Sequence, residues 1–133
     1  MTTLLAHIRI KSGCEAQFEA ITKDMVSRTL KEEEGVLRYE YWKGQTENFW
    51  YCLLSFKDKW AFYEHQMSDY HEGHDFAAVI EDIRLEYLDP VKGAGGDLPP
   101  TEDPPLPDDA SEDQRIAQER FALTIPAWWE GRL

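Results

Sequence analysis

Apolar positions along the first 90 residues switch between alternation and helical spacing. Leu4, Ala6, Ile8 and Ile10 alternate with His7, Arg9 and Lys11, which predicts a strand with one apolar face. Ser12-Gly13-Cys14-Glu15 has the spacing of a capping box, with Ser12 as the cap. A helix is expected after it, with Phe18, Ile21, Met25 and Thr29 on one stripe. Gly35 is expected to stop that helix after Glu32-Glu33-Glu34, acids that oppose the helix dipole in the last turn. Val36 to Lys43 and Phe49 to Phe56 read as two strands, joined into a hairpin by a turn from Gly44 to Asn48.

Asp58 is placed to cap a short helix from Lys59 to Met67. Trp60, Tyr63 and Met67 form one arc of it, and Ala61, Phe62 and His65 a roughly opposite arc. Such a helix is covered on both sides, or faces core on one and a pocket or partner on the other. Asp69 is expected to cap a further helix through about Asp82, with Phe76, Val79, Ile80 and Ile83 as its stripe. Arg84 to Leu88 reads as the last strand, ended by Pro90. The order strand, helix, strand, strand, helices, strand predicts an α+β, ferredoxin-like split βαβ: a four-stranded antiparallel sheet with helices on one face. Either Tyr39, Tyr41, Tyr51 and Leu53 or their alternates Val36, Trp42, Trp50 and Cys52 are then left on the other face. That face needs a cover, from a second copy packed sheet to sheet or from the rest of the chain.

The pattern changes near residue 92, which divides the chain into a domain at 1–92 and an arm at 93–133. Gly93 to Asp113 holds seven acids, no bases, five prolines and three glycines, the composition of an extended linker. Ser111-Glu112-Asp113-Gln114 is a second capping-box pattern. A helix to about Thr124 would turn Ile116, Ala117, Phe121 and Leu123 towards one side, and Pro126 would stop it. Trp128-Trp129 are expected to dock rather than stay in water.

The 133 residues carry a formal charge of −12, which argues against nonspecific nucleic-acid binding and against an anionic membrane surface. No run of eighteen apolar residues predicts a membrane span. The start of the chain lacks a basic segment followed by a long apolar one, so no secretory signal is expected. Cys14 and Cys52 form neither a disulfide framework nor a Cys-x-x-Cys pair, which makes a reduced, cytoplasmic setting the expectation.

Candidate chemistry rests on the histidines. His65 lies beside Ala61 and Phe62 on an apolar arc, either as a hydrogen-bonded core residue or as a general base in an apolar cavity. His71 and His74 fall opposite the expected Phe76 stripe, on the surface or in a polar pocket wall; their i, i+3 spacing also fits metal ligands, the least favoured option. Trp60 and Tyr63, with Trp42 and Trp50, are core residues or the lining of an aromatic pocket.

Residues 4–90 resemble the antibiotic biosynthesis monooxygenase family, a branch of the dimeric α+β barrel proteins. The resemblance is carried by Ala6-His7-Ile8-Arg9-Ile10-Lys11-Ser12-Gly13, Phe18, and Glu33-Glu34-Gly35-Val36-Leu37-Arg38-Tyr39-Glu40-Tyr41. Phe56-Lys57-Asp58, Ala61-Phe62-Tyr63-Glu64-His65 and Ser68 complete it. It implies a homodimer whose sheets form a barrel, and a pocket between each sheet and its helices. It also implies a small-molecule substrate. Some members oxygenate polycyclic phenols and anthrones without flavin or metal, because the deprotonated substrate itself reacts with dioxygen. The resemblance therefore implies no cofactor and no metal. It makes His65 the base or orienting group, with Tyr63, His71 and His74 as substrate-binding candidates, to which the aromatic-pocket reading adds Trp60. Other members degrade haem or isomerise small sugar-derived signals. The haem-degrading pattern has an Asn where this chain has Ala6 and a Trp where it has His65. Many relatives carry a Glu where this chain has Leu54. A noncatalytic binding module and a cofactor-free isomerase are the rival expectations.

Overall fold

A computed structural model describes residues 1–95, 100–122 and 124–129. Four strands build one sheet: β1 (Thr2–Ile10), β2 (Val36–Lys43), β3 (Phe49–Phe56) and β4 (Ile80–Tyr87). Their order across it is β2-β3-β1-β4, and every pairing is antiparallel. Helices α1 (Glu15–Glu32), α2 (Lys59–Gln66) and α3 (Asp69–Glu72) follow β1 and β3 in the chain, and α4 (Glu112–Arg120) belongs to the arm. This is the ferredoxin-like α+β arrangement the pattern predicts.

Leu4, Ala6, Ile8 and Ile10 of β1 are all buried, with Phe18 and Met25 of α1 above them. Asp58 caps α2 as expected: its side chain accepts from the Ala61 amide at 2.8 Å. The start of α1 differs. Its cap is Cys14, no side chain completes the turn, and Gly13 takes a left-handed φ of 85° there. The end of α1 also differs from the expected glycine stop. Glu33 already leaves the helix with extended backbone, and Gly35 acts by closeness instead: a Cβ at position 35 would collide with the Cβ of Ala61. The missing side chain lets α2 lie against the α1–β2 turn.

The helix expected from Asp69 to Asp82 is not formed. The chain makes only α3, a single 3-10 turn (Phe76–Ala78) and then β4. Ile80 and Ile83 had the spacing of a helical stripe, but they pair with Ile10 and Ile8 across the sheet. The ladder pairs seven residues of β4 with β1 and sets Ile80, Ile83 and Leu85 on the helix side of the sheet, contacts that outweigh local helical spacing.

Neither set of apolar residues expected on the second sheet face stays together. The register sets Tyr41 opposite Cys52 and Trp42 opposite Tyr51. Tyr39, Tyr41, Trp50 and Cys52 therefore lie on the helix side. Trp42, Tyr51 and Leu53 share the open face with Leu5, His7 and the Glu86 carboxylate that His7 meets at 2.8 Å. Trp42 is 58% exposed there.

The arm packs rather than trailing as a linker. Thr101 is fully buried, its hydroxyl donating to the Leu88 carbonyl, and the Glu102 amide donates to the Met1 carbonyl. Lys59 of α2 is buried and its ammonium meets Asp103 at 2.6 Å. The capping box of α4 forms between Ser111 and Gln114. Ala117 is buried, and Phe121 packs edge-on to Phe62. Only Trp129 of the tryptophan pair docks; Trp128 is 83% exposed. Leu123, expected on the α4 stripe, lies outside the described residues.

Candidate active site

A cavity of about 740 Å³ lies between the helix side of the sheet and the elements over it. Ala6, Ile8 and Leu54 supply an aliphatic floor, and Phe18 and Met25 of α1 a second wall. Ile83 and Leu85 also line it and are half-exposed, which places its mouth at the β4 edge. Arg120 and Phe121 bring the arm to the same space. An aliphatic and aromatic enclosure of this size suits a flat, mainly apolar small molecule.

His65 enters the cavity wall from the last turn of α2, fully buried. Its Nδ1 faces the Glu33 Oε2 at 3.2 Å and the Thr29 hydroxyl at 3.4 Å. Among the described residues its Nε2 has no hydrogen-bond partner. The ring stands edge-on to Tyr39, with centroids 4.8 Å apart, and packs against Phe56 and His71. His65 and Glu33 meet because Gly35 admits Ala61, one helical turn before His65.

His71 also lines the cavity. Burial, and then the nearby His65 and His74, push its imidazole down to about 4, so it is neutral at neutral pH. Tyr39 and Tyr41 face the same space with their hydroxyls 2.9 Å apart. Burial pushes both phenols well up. It does the same to the Cys52 thiol, which argues against a thiolate nucleophile.

The other candidates sit elsewhere. Trp60 and Tyr63 line a second hollow, of about 790 Å³, behind α2. Its walls also carry Glu32, Glu34, Asp58, Glu64, Asp69 and Asp113. The Tyr63 hydroxyl donates to Gln118 of α4 at 2.7 Å. His74 pairs with Asp24 at 3.0 Å on α1 and does not line the cavity. The structure thus brings His65 and His71 together and leaves Trp60, Tyr63 and His74 outside their cavity. Trp42 is on the open sheet face, and Trp50 packs against Phe18. Among the described residues no three His, Cys, Asp or Glu side chains converge as metal ligands. No described helix is long and apolar enough to cross a membrane. Glu33 is the residue sequence reasoning passed over. It reads as one of three acids in a fraying turn, and its partner is 32 residues away.

Solved structures with this architecture include the Pseudomonas aeruginosa protein PA3566, 20% identical, covering 65% of this chain and 90% of its own, with a TM-score of 0.59. A provisionally assigned antibiotic biosynthesis monooxygenase from Caulobacter crescentus is 23% identical over 65% of this chain and 86% of its own, with a TM-score of 0.61. The Shewanella oneidensis protein SO0527 is 23% identical over 65% and 87%, with a TM-score of 0.60. At these identities the likeness is one of fold. No curated protein matches the chain. The family model described as antibiotic biosynthesis monooxygenase matches residues 1–74, more than half of the chain, and the chain belongs to that family.

Proposed function

We propose that this protein is a cofactor-independent monooxygenase of a hydroxylated aromatic or quinol-like small molecule. The observation that carries the reading is His65: a fully buried imidazole on the wall of a mainly apolar cavity, with one ring nitrogen held and the other without a partner among the described residues. A flat substrate lies between the aliphatic floor and Phe18. Its acidic C–H or O–H bond breaks, the proton goes to Nε2, and the electron pair stays on the substrate. The electron-rich ring carbon then bonds dioxygen. A methylene loses two hydrogens and becomes a carbonyl, one oxygen atom enters the product and the other leaves as water. The apolar wall favours charge spread over a polycyclic ring against a localised one, and it excludes competing water. Freedom from cofactor comes from the family resemblance and fits a site whose base is a side chain.

In this reading the chain works as a homodimer. The open sheet face with Trp42, Tyr51, Leu53 and Leu5 supports it, because an exposed apolar sheet face is covered in a stable protein. The arm closes the pocket of its own subunit through Phe121 and Arg120. The His65–His71 contact, with centroids 5.2 Å apart, favours a second reading, a small-molecule isomerase that moves a proton between two carbons.

Oxygen consumption by the purified protein with a panel of anthrones, naphthols and hydroquinones tests the first reading, with a chelator present and no flavin added. Enzyme-dependent uptake above the spontaneous rate is expected. Substrate conversion under nitrogen with no uptake in air favours the isomerase.

A further inference from the structure

We propose that Glu33 orients His65 and carries protons between the cavity and the acidic groove behind α2. This rests on the reading of His65 as the base. His65 is fully buried and the path from it to the cavity mouth runs along mainly apolar walls, so a proton taken at Nε2 needs a polar exit. Glu33 supplies one. Its side chain is only 7% exposed, its Oε2 faces the His65 Nδ1 at 3.2 Å, and its other oxygen is buried without a partner among the described residues. A carboxylate oxygen kept in that state calls for a reason. Glu33 lines the groove and His65 lines the cavity, so the pair bridges the two spaces.

The other groups around His65 do not replace it. From α1 comes the Thr29 hydroxyl, from β2 Tyr39, from β3 Phe56 and from α3 His71. Burial keeps the Tyr39 phenol and the His71 ring neutral. Glu33 is the carboxylate among these contacts. On the groove side it is followed by Glu32, Glu34, Glu64 and Asp69, with Lys57 the basic residue.

In the resting state Nδ1–H donates to Glu33, which leaves the Nε2 lone pair without a partner among the described residues. The substrate's X–H bond breaks, Nε2–H forms, and the electron pair stays on the substrate. The Nδ1–H bond breaks and that proton joins Oε2, from which groove water removes it. A proton returning by the same path restores Nδ1–H when the product takes one from Nε2.

The test uses the full chain labelled with ¹⁵N-histidine, as wild type, Glu33→Gln and Glu33→Leu. Long-range ¹H–¹⁵N correlations assign the His65 tautomer, and water-exchange spectra read the Nδ1 proton. The wild type is expected to hold Nδ1–H. Glu33→Gln keeps that tautomer, since its amide oxygen still accepts, but cannot take the proton, and exchange slows by about tenfold or more. Glu33→Leu loses the preference. An Nε2–H tautomer in the wild type, the form a Thr29 donor would impose, overturns the proposal, as does unchanged exchange in Glu33→Gln. Neither readout needs turnover. A protein that shows the expected tautomer and exchange yet consumes no oxygen contradicts the oxygenase reading and leaves the Glu33 assignment standing.

Discussion

The cavity under the sheet and the groove behind α2 have nearly the same volume, about 740 and 790 Å³, and the arm borders both. The cavity holds mainly aliphatic and aromatic walls with two histidines, and Glu81, Asp82 and Arg120 border it on the β4 and arm side. The groove holds Glu32, Glu33, Glu34, Asp58, Glu64, Asp69 and Asp113 with one lysine. A phenolate anion is disfavoured more by the densely acidic groove than by the mainly apolar cavity. Size therefore says little about where chemistry happens. What separates the two hollows is that the cavity holds a buried imidazole whose Nε2 has no partner among the described residues, the group proposed above as the base.

Acid is expected to attack the cavity most strongly. The folded-state value for His71 is about 4, below its ordinary 6.5, because burial disfavours the charged ring. As pH falls from 6.5 towards 4 the unfolded chain takes up that proton and the folded one does not. Stability is then lost over that window, by up to about 3 kcal/mol. Urea midpoints at pH 7 and pH 4.5 measure the loss, and His71→Gln should flatten it. An equal slope in that variant would assign the acid sensitivity elsewhere.

The next largest effect separates the hollows by function. His65→Ala should lower oxygen uptake by about 10²-fold, or about 2.7 kcal/mol of barrier. Asp113→Asn, in the groove but off the proposed proton route, should leave uptake within about twofold. Equal losses in the two variants would erase the distinction.

The shared wall can be loosened next. Asp103→Asn removes the partner of a Lys59 ammonium that is almost wholly buried, while Asp103 itself is partly in water. The expected cost is about 2 kcal/mol in chemical denaturation. Adding Lys59→Met should recover much of it, because the unpaired charge is then gone. A double variant as weak as the single one would show that the arm is held by its other contacts.

These contrasts were unevenly legible in the amino-acid order. The strand of Leu4, Ala6, Ile8 and Ile10, the hairpin, the Asp58 cap and the Ser111–Gln114 box follow from local rules, and each formed locally. His65 stood out because a polar ring on an apolar arc is conspicuous. Ile80 and Ile83 misled because a strand after a short turn can mimic helical spacing, and only pairing with Ile8 and Ile10 reveals it. Trp60 and Tyr63 share α2 with His65 but lie on the face that meets the arm. A linker-like composition gave no hint that the arm would pack there. Glu33 was illegible for the same kind of reason: its partner comes from another helix, through an approach that Gly35 permits.

The smallest change tests that last division. Tyr63 is buried against the arm, and its hydroxyl donates to Gln118. Burial, and then the nearby Asp103 carboxylate, push its phenol up to about 12, so it remains a donor throughout the neutral range. Tyr63→Phe keeps the ring and its packing and deletes one hydrogen bond. Gln118 is only half-buried, so water can take the vacated position, and the loss should be about 1 kcal/mol in the denaturation midpoint. Oxygen uptake should not follow it, because the hydroxyl lies on the groove side of α2 and reaches no wall of the cavity. A Tyr63→Phe protein that folds as stably as expected but loses uptake as steeply as His65→Ala would move the chemistry across the helix, into the groove.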